Sequence, residues 1–281
     1  MGNVVREEFT LETVQNLEFG ILKYLKEICE QYSIRYYLAY GTLIGAVRHK
    51  GFIPWDDDID VMMPRSDYRR LLKILATNPH PYYKLISADT DRRFQVPLPK
   101  IVDTRTILIQ DYDLIEPVPL GVYVDIFLMD GSGNDYDEAI RHYDRAFFNY
   151  RLWKKSRLKL FPSSMSRIRG LLRWIKNLPY IVKGSQYYMA LLEKHNTKYD
   201  YDDSLYVATY ETGTQEAKKC IWKQSDFGEG CYLKFNEELF QVPKEYDKIL
   251  TLEYGEYMIF PPVEQQVSHH SYNLKWNDEL L

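Results

Sequence analysis

The segment "YGTLIGAVRHKGFIPWDDDIDVMMPR", Tyr40 to Arg65, decides how the chain is read. Four aspartates, Asp56, Asp57, Asp58 and Asp60, fall within five positions, where like charges repel most. Asp58 and Asp60 alternate with Ile59 and Val61. As a strand, the segment therefore sets both carboxylates on one face and both aliphatic side chains on the other. Two such carboxylates are tolerable when a cation lies between them, and a divalent metal is the economical occupant. Asp56 and Asp57 fall in the preceding loop, in capping or supporting positions.

Other readings of an acidic run compete with this one. A solvated loop would not run straight into Val61, Met62 and Met63. An EF-hand loop opens with the same D-x-D-x-D spacing, but Val61 stands where its glycine is needed and Asp67 where its glutamate is needed. The D-x-D of nucleotide-sugar glycosyltransferases also holds a metal against a diphosphate. That motif normally follows several alternating strands and helices, whereas one long helix and one strand come first here, and it stays open as an alternative.

Working outward, Val14, Leu17, Ile21, Leu22, Leu25, Ile28, Cys29 and Tyr32 follow helical spacing, so residues 9–32 form an amphipathic helix. "IRYYLAY" alternates as a strand. Gly41-Thr42 forms a turn that opens a short helix, "LIGAVRH", whose N–H groups suit a phosphate. "DIDVMMP" is the next strand, Ser66 a cap, and "DYRRLLKILAT" a helix. "YYKLISA", "FQVPLPKIV", "TILIQDY" and "GVYVDIFLMD" read as further strands. In the last of these, Val122, Val124, Ile126 and Leu128 share one face and leave Asp125 on the other. A carboxylate there is costly without a partner, which makes Asp125 the candidate third ligand of a magnesium or manganese site with Asp58 and Asp60. Lys100, in "PLPKIVDTRT", is a further phosphate candidate.

The pattern implies an α/β (α+β) fold, a mixed sheet flanked by helices. Its parts are a catalytic core over 1–134, a basic helical insert over 135–195 and a C-terminal part over 196–281 that completes the pocket. With 45% hydrophobic and 27% charged residues, the 281-residue chain is globular. No apolar run reaches the roughly 20 residues of a membrane span, and the N-terminus is too polar for a secretory signal, so a cytoplasmic location is expected. Cys29, Cys220 and Cys231 are too scattered for a disulfide framework or a paired zinc site.

"YGTLIGAVRHKGFIPWDDDIDVMMPR" closely resembles the signature of the LicD family, which takes in the fukutin-related proteins and has a nucleotidyltransferase-like fold. "VYVDIFLMDG" and "VPKEYDKILTLEYGEYMIFPP" resemble that family's second and third blocks. The resemblance implies transfer of a phospho-alcohol, typically phosphocholine from CDP-choline, to a hydroxyl of a surface glycan or teichoic acid precursor, with CMP leaving. It implies Asp58, Asp60 and Asp125 as metal ligands and catalytic groups, Gly41 and Thr42 as the phosphate turn, and Arg48 and His49 facing the diphosphate. Arg48 is independently suited to bidentate phosphate contact. A choline headgroup would sit over aromatic faces, and Trp55 is the candidate wall. His270 matches a polar substrate-contact position near the family's C-terminus. Alternatives are another donor, such as CDP-ribitol, CDP-glycerol, a nucleoside triphosphate or a nucleotide sugar, and a non-catalytic glycan-binding protein on the same fold.

The net charge of −4 conceals a segregation: residues 145–192 hold eleven Lys or Arg and no Asp or Glu. Mixed with Leu, Ile, Phe and Trp, this charge suits either peripheral contact with the inner face of an anionic membrane or an insert packed on the sheet with a solvated basic face. No nucleic-acid module accompanies it.

Overall fold

The computed structural model describes residues 9–109, 118, 120–211, 214–268 and 273–279. Helix α1 (Leu11–Tyr32) starts where the Thr10 hydroxyl accepts the Thr13 N–H and ends at Ser33, which takes a left-handed turn at φ 52°. Strand β1 (Tyr37–Leu38) leads into α2 (Tyr40–Arg48), then β2 (Asp60–Pro64) and α3 (Arg65–Thr77). Strands β3 (Tyr83–Ile86), β4 (Lys100–Ile109) and β5 (Leu120–Gly133) follow. Helices α4 (Tyr136–Ser156), α5 (Arg167–Lys176), α6 (Leu178–Lys183) and α7 (Ser185–Asn196) occupy the middle of the chain. The remainder runs β6 (Tyr206–Thr209), β7 (Ile221–Lys223), β8 (Cys231–Phe235), β9 (Glu238–Val242), α8 (Tyr246–Tyr254) and β10 (Asn273–Trp276).

This is the mixed sheet flanked by helices that the residue pattern implies. β2 and β5 run parallel, and the sheet's other pairings are antiparallel, in the order β1-β2-β5-β4-β10. β3 flanks the first half of β4, and β6 takes the far end of β5 and carries β7 outward. The 14-residue β5 is thus the axis of the fold, shared among three neighbours. Its Val122, Val124, Ile126 and Leu128 join the core beneath α1 and α3, with Val61 and Met63 of β2. On the opposite face Met62 and Met129 pack with Tyr37, Trp222, Phe227 and Ile249 of α8. β1 is buried on both sides, Leu38 in the first core and Tyr37 in the second.

Three local readings change. The strands expected in "FQVPLPKIV" and "TILIQDY" are one strand, β4, within the described residues, because Pro97 and Pro99 cannot donate to a ladder and hold 94–99 outside it. β4 stays continuous across a register irregularity where the Thr106 hydroxyl donates to the Asp103 carbonyl and accepts the Val122 N–H, both at 2.8 Å. α2 begins at Tyr40, so Gly41 and Thr42 lie in its first turn instead of ahead of it. Ser66 does not cap α3, which starts at Arg65; its hydroxyl lies 3.3 Å from Asp202 Oδ2. Among the described residues no helix is long and apolar enough to cross a membrane.

Candidate active site

The site forms at the leading edge of β2, where α1, α2 and β5 meet. Thr42 is buried in α2, and its hydroxyl accepts the Asp60 N–H at 2.9 Å, while the Ala39 N–H donates to the Asp60 carbonyl at 3.0 Å. The Asp125 N–H donates to the Ile59 carbonyl at 3.0 Å, and Asp60 stands directly opposite Asp125 in the β2–β5 register. On the other side of β5, Lys100 is the register partner of Asp125, and its ammonium donates to the Asp125 carboxylate. That ammonium also lies 3.7 Å from the centre of the Tyr123 ring. Asp60, Asp125 and Lys100 thus form one row across three strands.

The paired part of β2 starts at Asp60, one step later than the alternation implies, yet the alternation of burial persists. Ile59 and Val61 are fully buried and Asp58 and Asp60 half-buried. Asp56 comes back onto this group. Its carboxylate abuts the Gly41 backbone so closely that a Cβ at position 41 would lie 2.6 Å from Oδ2, and Gln15 of α1 donates to the Asp56 carbonyl at 2.8 Å. Asp57 is buried, and its carboxylate accepts the Ser268 hydroxyl.

Electrostatics mark the cluster as built for a cation. Burial, then the charges of Asp58 and Asp57, push the Asp56 carboxyl up to about 7. Burial, then Asp58, Asp125 and Asp56, raise Asp60 well above its ordinary range, with Lys100 opposing. Glu18, fully buried in α1, is raised by burial and then by Asp58, Asp57, Asp56 and Asp60. Its Oε2 is buried with no hydrogen-bond partner among the described residues. Among those residues no three His, Cys, Asp or Glu stand as a ready-made ligand set, and Asp125 is turned to Lys100. The donors are nevertheless the hard carboxylate oxygens that magnesium or manganese takes, crowded and short of positive charge, and in that respect the site fits such an ion.

The other expected site residues form a second group at the end of α2. Arg48 donates from Nη1 to the Tyr257 carbonyl at 2.8 Å, and its guanidinium carbon lies 4.7 Å from the centre of the Phe260 ring. The His49 ring centre is 5.4 Å from that of Phe260 and 6.4 Å from that of Trp55, and Trp55 and Phe260 lie 6.4 Å apart. Burial lowers Arg48 and His49, the latter also through the Arg48 charge. In this structure Arg48 therefore ties residues 257–260 to α2. His270 lies outside the described residues.

Sequence reasoning missed Glu18, Glu253 and the closeness of Asp56. Glu253 in α8 has both carboxyl oxygens buried without partners among the described residues, and burial lifts it to about 8. Its charge acts on the half-buried Tyr40, which bonds Thr209 at 2.8 Å, and on Tyr254, which also senses Asp60 and Asp56. Both glutamates were legible as acids on an apolar stripe: Glu18 is four residues from Val14 and Leu22, and Glu253 four from Ile249. A separate cavity of about 310 Å³, lined by Arg65, Gln95, Asn196 and Glu211 among others, contains none of the expected site residues.

Residues 33–172 match the family model described as LicD/FKTN/FKRP, nucleotidyltransferase domain. The chain is 33% identical over 276 residues to the lipopolysaccharide cholinephosphotransferase LicD of Haemophilus influenzae, covering 94% of this chain and 97% of that one. An uncharacterized protein of Rickettsia prowazekii is 40% identical over 57 residues, 20% of this chain and 21% of that one. A row of carboxylates across parallel strands, set in a sequence that matches the Haemophilus influenzae protein almost end to end, places the protein: the chain belongs to the LicD family.

Proposed function

We propose that this LicD-family phosphotransferase moves phosphocholine from CDP-choline to a hydroxyl of a cell-surface glycan precursor and releases CMP. The observation that carries the reading is the pairing of Asp60 with Asp125 on parallel strands beside Asp56 and Asp58, in a chain whose match to a lipopolysaccharide cholinephosphotransferase is nearly full-length.

Asp58, Asp60 and Asp125 are the residues that would hold a magnesium or manganese ion, which supplies charge neutralisation to the phosphate oxygens when bound. Lys100, now balancing Asp125, contributes a second positive charge on the same strand row. No side chain caps α2, which leaves its first-turn N–H groups at Gly41 and Thr42, beside Asp56, as phosphate donors. The acceptor oxygen attacks phosphorus in line as the bond to the CMP oxygen breaks, and the hydroxyl proton passes to Asp60 or Asp125. Trp55 and Phe260 offer ring faces to a quaternary ammonium, and Phe260 already accepts the Arg48 cation.

Donor choice is tested by following CMP release with CDP-choline, CDP-glycerol and CDP-ribitol, each with magnesium and a lipopolysaccharide acceptor. CDP-choline is expected to be turned over at least about tenfold faster than the others, the discrimination that one cation–π cage provides. Faster release from CDP-glycerol or CDP-ribitol would replace the donor, and release undiminished by EDTA would remove the metal.

A further inference from the structure

Helix α5 has a surface that neither the core nor the site uses. Its Ile168, Leu171, Leu172 and Ile175 repeat at the i, i+3, i+4, i+7 spacing that normally faces a core. Here the stripe faces out: Ile168 is 74% exposed, Leu172 62%, Ile175 52% and Leu171 42%. Of the helix's ten residues only Gly170 is buried, held against the Leu160 carbonyl and Pro162, with Arg173 and Trp174 half-buried beside it. At 100° per residue that attached side lies roughly opposite the stripe. The helix is thus fastened to the protein by its back and presents its apolar face to the outside.

Charge identifies what the face meets. Arg167, Arg169 and Lys176 rim the stripe, and residues 145–192 carry eleven Lys or Arg without one Asp or Glu. A second copy of the same face would set these like charges against each other. An anionic bilayer offers negative headgroups to the rim and an acyl boundary to the stripe, and a ten-residue helix, about 15 Å long, lies in that boundary instead of crossing it.

We propose that α5 docks the protein on an anionic membrane surface, with Ile168, Leu171, Leu172 and Ile175 inserted and the basic rim on the lipid phosphates. This goes beyond the transfer reaction and does not depend on it. Flotation of the full chain with vesicles tests it, comparing pure phosphatidylcholine with phosphatidylcholine containing about a quarter phosphatidylglycerol, at low and high salt. The wild type is expected to float with the anionic vesicles and at least about tenfold less with the neutral ones, with high salt weakening the binding. The Leu172→Glu/Ile175→Glu variant should lose binding by about tenfold or more, with circular dichroism and melting unchanged. Should that variant unfold, the charge variant Arg169→Ala/Lys176→Ala, which leaves the apolar stripe alone, is expected to weaken binding several-fold. Absence of binding to anionic vesicles, or binding unchanged in the folded variants, would overturn the proposal. So would light scattering that shows a dimer abolished by Leu172→Glu/Ile175→Glu, which would identify a second copy as the occupant.

Discussion

Gly41 shows how the acid cluster is fixed at the residue scale. Its missing side chain leaves room for the Asp56 carboxylate, and a methyl group there would lie 2.6 Å from Oδ2. Gly41→Ala is therefore expected to displace Asp56 and lower turnover about 10- to 100-fold, since an ångström of misplacement costs that much. Its melting temperature should stay within a few degrees, because alanine favours the helix. Steady-state kinetics beside a thermal melt check both. Asp58, Asp60 and Asp125 were legible because the two-residue period of a strand sorts side chains by face. Arg48 was legible as a residue but not in its contact with the Tyr257 carbonyl, which joins positions 209 apart in the chain. Glu18 and Glu253 were legible as acids on an apolar helix stripe, but which elements cover their carboxyl groups depends on contacts between segments distant in the chain.

At the scale of elements, α8 carries a buried acid toward the site. Glu253 is lifted to about 8 by burial, above its ordinary 4.5. The folded state therefore keeps a proton that the unfolded chain releases, and stability falls as pH rises from about 4.5 to about 8. Glu253→Gln removes this dependence. It is expected to raise stability at pH 8 by about 1–2 kcal/mol, a few degrees in melting temperature, with little change at pH 5. Melting curves at the two pH values measure it. The strand order was less legible than the strands themselves. Periodicity located β2 and β5, whereas the merging of two expected strands into β4 depended on Pro97, Pro99 and a bulge secured by Thr106.

At the scale of the whole molecule, the first and last of the middle helices, α4 and α7, are joined partly through a stacked pair, His142 and His195, with ring centres 4.0 Å apart. Burial, then the neighbouring charges of His195 and Lys198, lowers His142 to about 3. An unfolded histidine takes up its proton near 6.5, so this contribution to stability is complete above that pH and is lost as pH falls toward 3. His142→Phe should shallow the acid limb of the melting-temperature profile below about pH 6 by a few degrees, leaving neutral pH unchanged within about 1 kcal/mol. Composition revealed that the middle of the chain is basic. That its apolar stripe points outward emerged only from the packing of Gly170.

The row of carboxylates is the proposed centre of phosphoryl transfer. Its most direct test is Asp60→Asn, an isosteric change that leaves the Thr42 hydrogen bond to the backbone N–H in place. CMP release from CDP-choline is expected to fall at least about a thousandfold while the far-ultraviolet spectrum and melting temperature match the wild type or exceed it, because one of several crowded carboxylates is removed. Turnover within about tenfold of the wild type in the folded variant would contradict it.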